Sequence, residues 1–253
     1  MDKRIGAQFF TIRDYCRTLS DFENSCRRVS EIGYKTVQLS GIGDFSGKDV
    51  RRILEKYDLE CVCTHRTPQK YLSDLEREIE FHKEIGCRIC GLGAMPGFNV
   101  KKETILQFAA DFRPVIQKLN ENGLVFAYHN HAFEFEKLGE KYAFDIITEE
   151  INSENFKYIL DVFWLAYAGI DPAQFISERS GRIACVHFKD LKIKDGTPQF
   201  AEAGAGNINW DAVIPACRKA GAEYALVEQD ECDGDPFTSL QKSYSFLTGK
   251  GFV

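Results

Sequence analysis

The segment Tyr128–Phe135, YHNHAFEF, carries two histidines two residues apart and a glutamate three residues after the second. Imidazoles and a carboxylate at this density can ligate a metal or move protons. Three more groups of the same kind fall in later apolar runs: Asp161 in KYILDV, His187 in RIACVHF and Glu228 in YALVEQD. If those runs are neighbouring strands, Glu134, Asp161, His187 and Glu228 can reach one point. Three carboxylates and one imidazole make a mostly hard set for one divalent metal ion, Mn²⁺ first, with Mg²⁺, Co²⁺ or Zn²⁺ also compatible. Glu136 is the alternative ligand if the end of its strand is displaced.

The elements that must position these groups follow one grammar. In SDFENSCRRVSEIG, Phe22, Cys26 and Val29 recur at helical spacing, Gly33 ends the helix, and Ser20 with Glu23 is expected to form a capping box. SDLEREIEFHKEIG repeats the design with a Ser73–Glu76 box. Between such helices lie eight apolar runs: IGAQFF, YKTVQLS, LECVCTH, CRICGLG, LVFAYHN, KYILDV, RIACVHF and YALVEQD. Nearly continuous apolar strands alternating with helices imply a parallel sheet covered on both faces. Eight units in 253 residues predict an α/β fold, a closed (β/α)₈ TIM barrel forming a single domain over 1–253, with a doubly wound open sheet as the alternative. Gln8, Gln38, His65, His129, Asp161, His187 and Glu228 all sit at or near the C-terminal end of a run. Buried polar ends are costly unless paired or ligating, so seven of them at one end of a barrel predict a chemical mouth.

Composition narrows the function classes. The chain is 44% apolar with a formal net charge of −6, and its acidic residues are dispersed. It shows no basic stripe of the sort nucleic acid attracts. No apolar run approaches the roughly 20 residues of a membrane helix, and MDKRIGAQFF does not read as a leader. The nine cysteines, several within apolar runs, fit reduced buried thiols in a cytoplasmic protein. The formal CxxC of Cys87 and Cys90 reads as core, and His82, on the apolar face of a helix, as structural. The glycines of GLGAMPG and AEAGAG lack the following helix and acidic strand end of a dinucleotide site, so no nucleotide cofactor is expected.

The wording around these groups carries a resemblance. LDVFWLAYAGIDP, VHFKD, GAGNINW and ALVEQD, together with YHNHAFEF, resemble the sugar phosphate isomerase/epimerase superfamily, the xylose isomerase-like TIM barrels. The resemblance runs from the first strand to about Leu247 and is strongest from Tyr128 onward. It implies a single-metal site on Glu134, Asp161, His187 and Glu228, with Glu134 and Glu228 exchanging the substrate proton. Two departures stand out. Ketose 3-epimerases and endonuclease IV carry a histidine three residues after the sixth-strand aspartate, where this chain has Trp164. The E-x-x-N-R of the epimerases is H-N-H here. Five histidines are too few for a three-zinc nuclease, and amidohydrolases place H-x-H on the first strand, not the fifth.

The remaining polar groups read as substrate contacts: His65, His129, His131, Lys189, Glu202 and Gln8. Lys189 shares a strand face with His187, and Glu202 lies in a glycine-bearing loop. Phe10, Trp164 and Trp210 are candidate apolar walls. The expected activity is a divalent-metal-dependent isomerase or epimerase of a ketose, inosose or related polyol acting through an enediolate. The alternative is a dehydratase or lyase on a keto-sugar or keto-inositol at the same site. The expected partner is a small sugar or polyol, with a homo-oligomer left open and neither nucleic acid nor membrane involved.

Overall fold

Strand–helix alternation resolves into a closed barrel. The computed structural model describes residues 1–253, with barrel strands β1 (Ile5–Gln8), β2 (Thr36–Leu39), β3 (Glu60–Arg66), β4 (Ile89–Leu92), β5 (Val125–His129), β6 (Phe156–Asp161), β7 (Ile183–Phe188) and β8 (Tyr224–Val227). Each pairs in parallel with its neighbours, and β8 returns to β1 with Ile5 opposite Ala225 and Ala7 opposite Val227. That last pairing is what makes the sheet a TIM barrel instead of an open doubly wound sheet.

The side chains sort into two apolar layers. Val62, Cys63, Ile89, Ala127, Ile159, Ala184, Cys185 and Leu226 fill the barrel interior, apart from a 63-residue core that includes the strand–helix interface. The interior has no room to spare at β4. A Cβ on Gly91 would lie 2.0 Å from the Thr64 carbonyl oxygen and 2.8 Å from Ile159 Cδ1. All nine cysteines are free and all but Cys232 are buried. No helix is long and apolar enough to cross a membrane.

The helix ends correct the expected caps. Helix Leu19–Ile32 begins at Thr18, whose hydroxyl accepts from the Asp21 N–H, while the Asp21 carboxylate accepts from the Thr18 N–H. The box is therefore Thr18–Asp21, and Ser20 lies inside the helix. Helix Leu75–Ile85 is capped by Asp74, which accepts from the Arg77 N–H, whereas Ser73 closes the preceding short helix by donating to the Gln69 carbonyl. In each case the cap sits beside the expected one, at a residue with extended or otherwise non-helical backbone. The helix stops fall where expected, at Gly33 (φ 121°) and Gly86 (φ 71°).

His82 does hold structure together. Its Nδ1 donates to the Glu78 carbonyl at 2.7 Å and its Nε2 accepts from the Thr64 hydroxyl at 2.8 Å, tying that helix to β3. Burial pushes its pKa down to about 4. After β7 the chain forms a hairpin of Asp190–Lys194 and Thr197–Ala201. Asp190 anchors the loop beyond it, accepting from the N–H groups of Leu191, Gly204, Gly206 and Ile208 and from Trp210 Nε1.

Candidate active site at the barrel mouth

Strand alternation turns the polar strand ends inward. Gln8 Nε2 lies 3.5 Å from His65 Nδ1, and His187 Nε2 lies 2.7 Å from Gln38 Oε1. The rings of His65, His129 and His187 stand within 5.3 Å of one another, centre to centre. His129 Nε2 is 3.4 Å from Asp161 Oδ2, and His187 Nδ1 is 2.9 Å from Glu228 Oε2. All seven polar strand ends named from the sequence thus meet at one end of the barrel.

Within this group one atom each from His129, Asp161, His187 and Glu228 lies within 4.8 Å of the other three, and all four residues are buried. The hydrogen bonds behind the rings decide which atoms face the centre. Gln38 Nε2 donates to the Thr64 carbonyl, so its Oε1 faces His187 and takes the proton of Nε2. His129 Nδ1 donates to the Gly93 carbonyl at 3.0 Å. Each ring therefore turns its other nitrogen toward a carboxylate oxygen at the centre, where a proton or a metal ion can sit between the two. Asp161 Oδ1 is spent on the N–H groups of Phe163 and Trp164, which leaves Oδ2 for the centre. His187 Nδ1 and Glu228 Oε2 lack any aligned hydrogen bond despite their 2.9 Å approach. Two buried carboxylates facing two ring nitrogens call for positive charge between them, and rings oriented from behind are how metal-binding histidines are held. These residues fit a divalent ion. Two nitrogens and two carboxylates suit Mn²⁺, Co²⁺ or Zn²⁺ better than Mg²⁺.

A cation from the chain itself also reaches the cluster. Lys189 is fully buried, with Nζ 2.8 Å from Asp161 Oδ2, 2.7 Å from Glu228 Oε2 and 2.6 Å from Asp230 Oδ2. Burial opposes ionisation of Asp161 and Glu228, but Lys189 and the neighbouring imidazoles hold both carboxyls well below the usual range. Burial would lower His187, and Glu228 and Asp161 outweigh it, raising its pKa to about 9. The cluster opens through His129 and Glu228 into a cavity of about 510 Å³, which is also lined by Phe10, His65, His131 and Asp230.

Residues 26–248 match the model of the xylose isomerase-like TIM barrel. The chain belongs to this family. Its fold is similar to that of a sugar phosphate isomerase/epimerase from Parabacteroides distasonis, at 20% identity over 100% of this chain and 96% of that one, with a TM-score of 0.81. It is similar as well to an L-ribulose 3-epimerase (15% identity, 99% and 94% covered, TM-score 0.77). The probable 3-DHS dehydratase AsbF from Bacillus anthracis is a further likeness (14%, 97% and 98%, TM-score 0.74). At these identities the likeness establishes the fold. No curated protein matches the chain by sequence.

In this xylose isomerase-like barrel the other expected site residues divide. Glu134 stands outside the converging four, and His129 takes the fourth place. The Glu134 carboxylate accepts from the Tyr128 hydroxyl at 2.7 Å and from the His131 N–H at 2.8 Å, and burial raises its pKa to about 7. Tyr128 packs on Phe108 and Phe156, in the strand–helix layer. Glu134 is thus drawn away from the barrel axis, because the chain leaves β5 at Asn130 and turns through Phe133–Phe135. The adjoining Glu136, its alternative, also lies outside the four. Glu202 is turned from the mouth as well, held by Ser239 and Lys242 of the last helix. Trp210 packs on Phe188 and donates to Asp190, so it is no wall of the site. His65, His131 and Phe10 do line the cavity, and Gln8 supports His65 from behind. His65 Nε2, His131 Nδ1 and Trp164 Nε1 are buried without partners. Asp230 was missed, although it lies two residues beyond Glu228 on the same run, where period-two alternation could have found it. Asn130 was missed too. Its Oδ1 accepts from the Asp161 N–H and so ties β5 to β6 at the site.

Proposed function

We propose that this chain is a divalent-metal-dependent isomerase or epimerase of a ketose, inosose or related polyol, with Mn²⁺ as the first candidate ion. The observation that carries the reading is the buried set of His129, Asp161, His187 and Glu228, aimed at one point by hydrogen bonds behind both rings, at the wall of a sugar-sized cavity. These four residues would hold the ion. When bound, it supplies Lewis acidity toward a substrate carbonyl and so favours the enediolate formed on loss of the α proton.

The chain's own residues supply the rest. Glu228 is ionised and lines the cavity, where its carboxylate can take the α proton. His131 is neutral at pH 7, since burial and nearby positive charge lower its pKa to about 3, and its ring can accept a hydrogen bond from a substrate hydroxyl. Isomerisation balances when Glu228 returns the proton it took to the adjoining carbon of the enediolate, whereas epimerisation needs in addition a donor on the opposite face of the carbon. Glu134 is a positioning residue here. Its hold on the His131 N–H sets that ring in the cavity wall. His65, kept neutral by burial, receives the Gln8 amide on Nδ1 and turns its Nε2–H toward a substrate oxygen.

A second reading rests on the same His65 group. The unpartnered Nε2–H of His65 could equally steady a departing β-hydroxyl, which would make the enzyme a dehydratase or lyase on a keto-sugar or keto-inositol. Similarity to epimerases and to a dehydratase is consistent with both. Incubation of the Mn²⁺-loaded protein with ketoses and inososes in D₂O separates them. Deuterium at the α carbon with no loss of water supports the isomerase or epimerase. An enone absorbance with loss of water rejects it in favour of the lyase.

A further inference from the structure

Lys189 occupies the carboxylate side of the proposed metal position. Its Nζ contacts Asp161 Oδ2 and Glu228 Oε2 at 2.8 and 2.7 Å, and these are the two carboxylate oxygens of the donor set. A divalent ion lies about 2.0–2.3 Å from such oxygens, so it and the ammonium cannot hold the same place. The third partner of Lys189 is different in kind. Asp230 lies outside the donor set, lines the cavity and is a quarter exposed, yet it sits 2.6 Å from Nζ.

We propose that Lys189 is a tethered counter-cation. It fills the metal position when no ion is bound and withdraws onto Asp230 when one enters. This rests on the metal reading above. The charges support the exchange. With His187 neutral, as a ligating ring must be, Asp161, Glu228 and Asp230 bring −3 and Lys189 brings +1, so one divalent ion neutralises the site. With no ion, the lysine compensates two buried carboxylates, whose charge is costly when left uncompensated. Its flexible four-carbon stem lets the charge move while the backbone stays in place.

Mn²⁺ titration of the metal-stripped full chain, followed by calorimetry and by the spin-resonance signal of free Mn²⁺, tests this in wild type, Lys189→Met and Asp230→Asn. Lys189→Met is expected to bind Mn²⁺ about tenfold tighter or more, because the competitor is gone. Its metal-free form should melt below wild type and recover on adding Mn²⁺. Asp230→Asn should bind about tenfold more weakly, and that loss should vanish in the double variant, where no lysine needs a resting place. Equal Mn²⁺ affinity in wild type and Lys189→Met overturns the exchange and leaves the metal site standing. Binding by neither protein overturns the metal reading and the exchange with it. If Lys189→Met does not fold, Asp230→Asn decides alone, and an unchanged affinity there rejects the exchange.

Discussion

At the scale of single residues, the site depends on what stands behind each functional group. Gln38 and the Gly93 carbonyl hold the rings of His187 and His129 from behind, and so decide that two ring nitrogens face two carboxylates. Replacing Gln38 by Leu should weaken Mn²⁺ binding by about 10–100-fold while keeping all four donors, the usual cost of losing such a support. Calorimetry reads this directly, and an unchanged affinity would show that the amide is dispensable. The contrast between the two glutamates is sharper. Glu228→Gln should reduce Mn²⁺ affinity by about 100-fold or more, whereas Glu134→Gln should leave it within about threefold, since the Glu134 carboxylate is hydrogen-bonded to Tyr128 and His131. Equal losses in both variants would restore Glu134 to the metal and displace His129 from it.

At the scale of elements, β3 and the helix Leu75–Ile85 are coupled through Thr64 and His82. The pKa of His82 is about 4 in the fold, against about 6.5 for a free imidazole. The unfolded chain therefore takes up the proton first as pH falls. The contribution is fully present above about pH 6.5 and is lost progressively toward pH 4, about 3 kcal/mol in all. Urea unfolding at pH 7 and pH 4 should show His82→Gln losing that much less on acidification than wild type, and identical losses would refute the link. The strands that carry these groups were legible because both faces are buried, so each read as an apolar run closed by a polar residue that only a partner could justify. The helix starts were less legible: Thr18–Asp21 and Ser20–Glu23 satisfy the same spacing two residues apart, and only backbone conformation chooses between them. Glu134 and Glu202 lie past strand ends, where alternation no longer says which way a side chain points. Lys189 lies where alternation still holds, so its facing was readable from His187. Its partners, on two other strand ends, were not.

At the scale of the whole molecule, the barrel depends on the seam where its first and last strands meet, because the mouth is a ring of strand ends that must close to bring β8 beside β1. Glu228 reaches the cluster only through that closure. The seam is reinforced at the opposite end from the mouth: the Val253 N–H donates to the Lys3 carbonyl at 2.8 Å and the Ile5 N–H to the Val253 carbonyl at 3.1 Å. Beside them Phe252 is buried, with its ring 5.8 Å from that of Phe188 on β7. Truncating a buried phenylalanine to alanine costs about 3–5 kcal/mol. At the roughly 2–4 °C per kcal/mol typical of chains of 150–250 residues, Phe252→Ala should melt about 6–20 °C below wild type. Because the strands form one ring around one interior, helix content and bound Mn²⁺ should be lost in a single coincident transition. A variant melting with wild type would show that the seam does not depend on Phe252. Release of Mn²⁺ well before the helices unfold would show that the mouth opens independently of the seam.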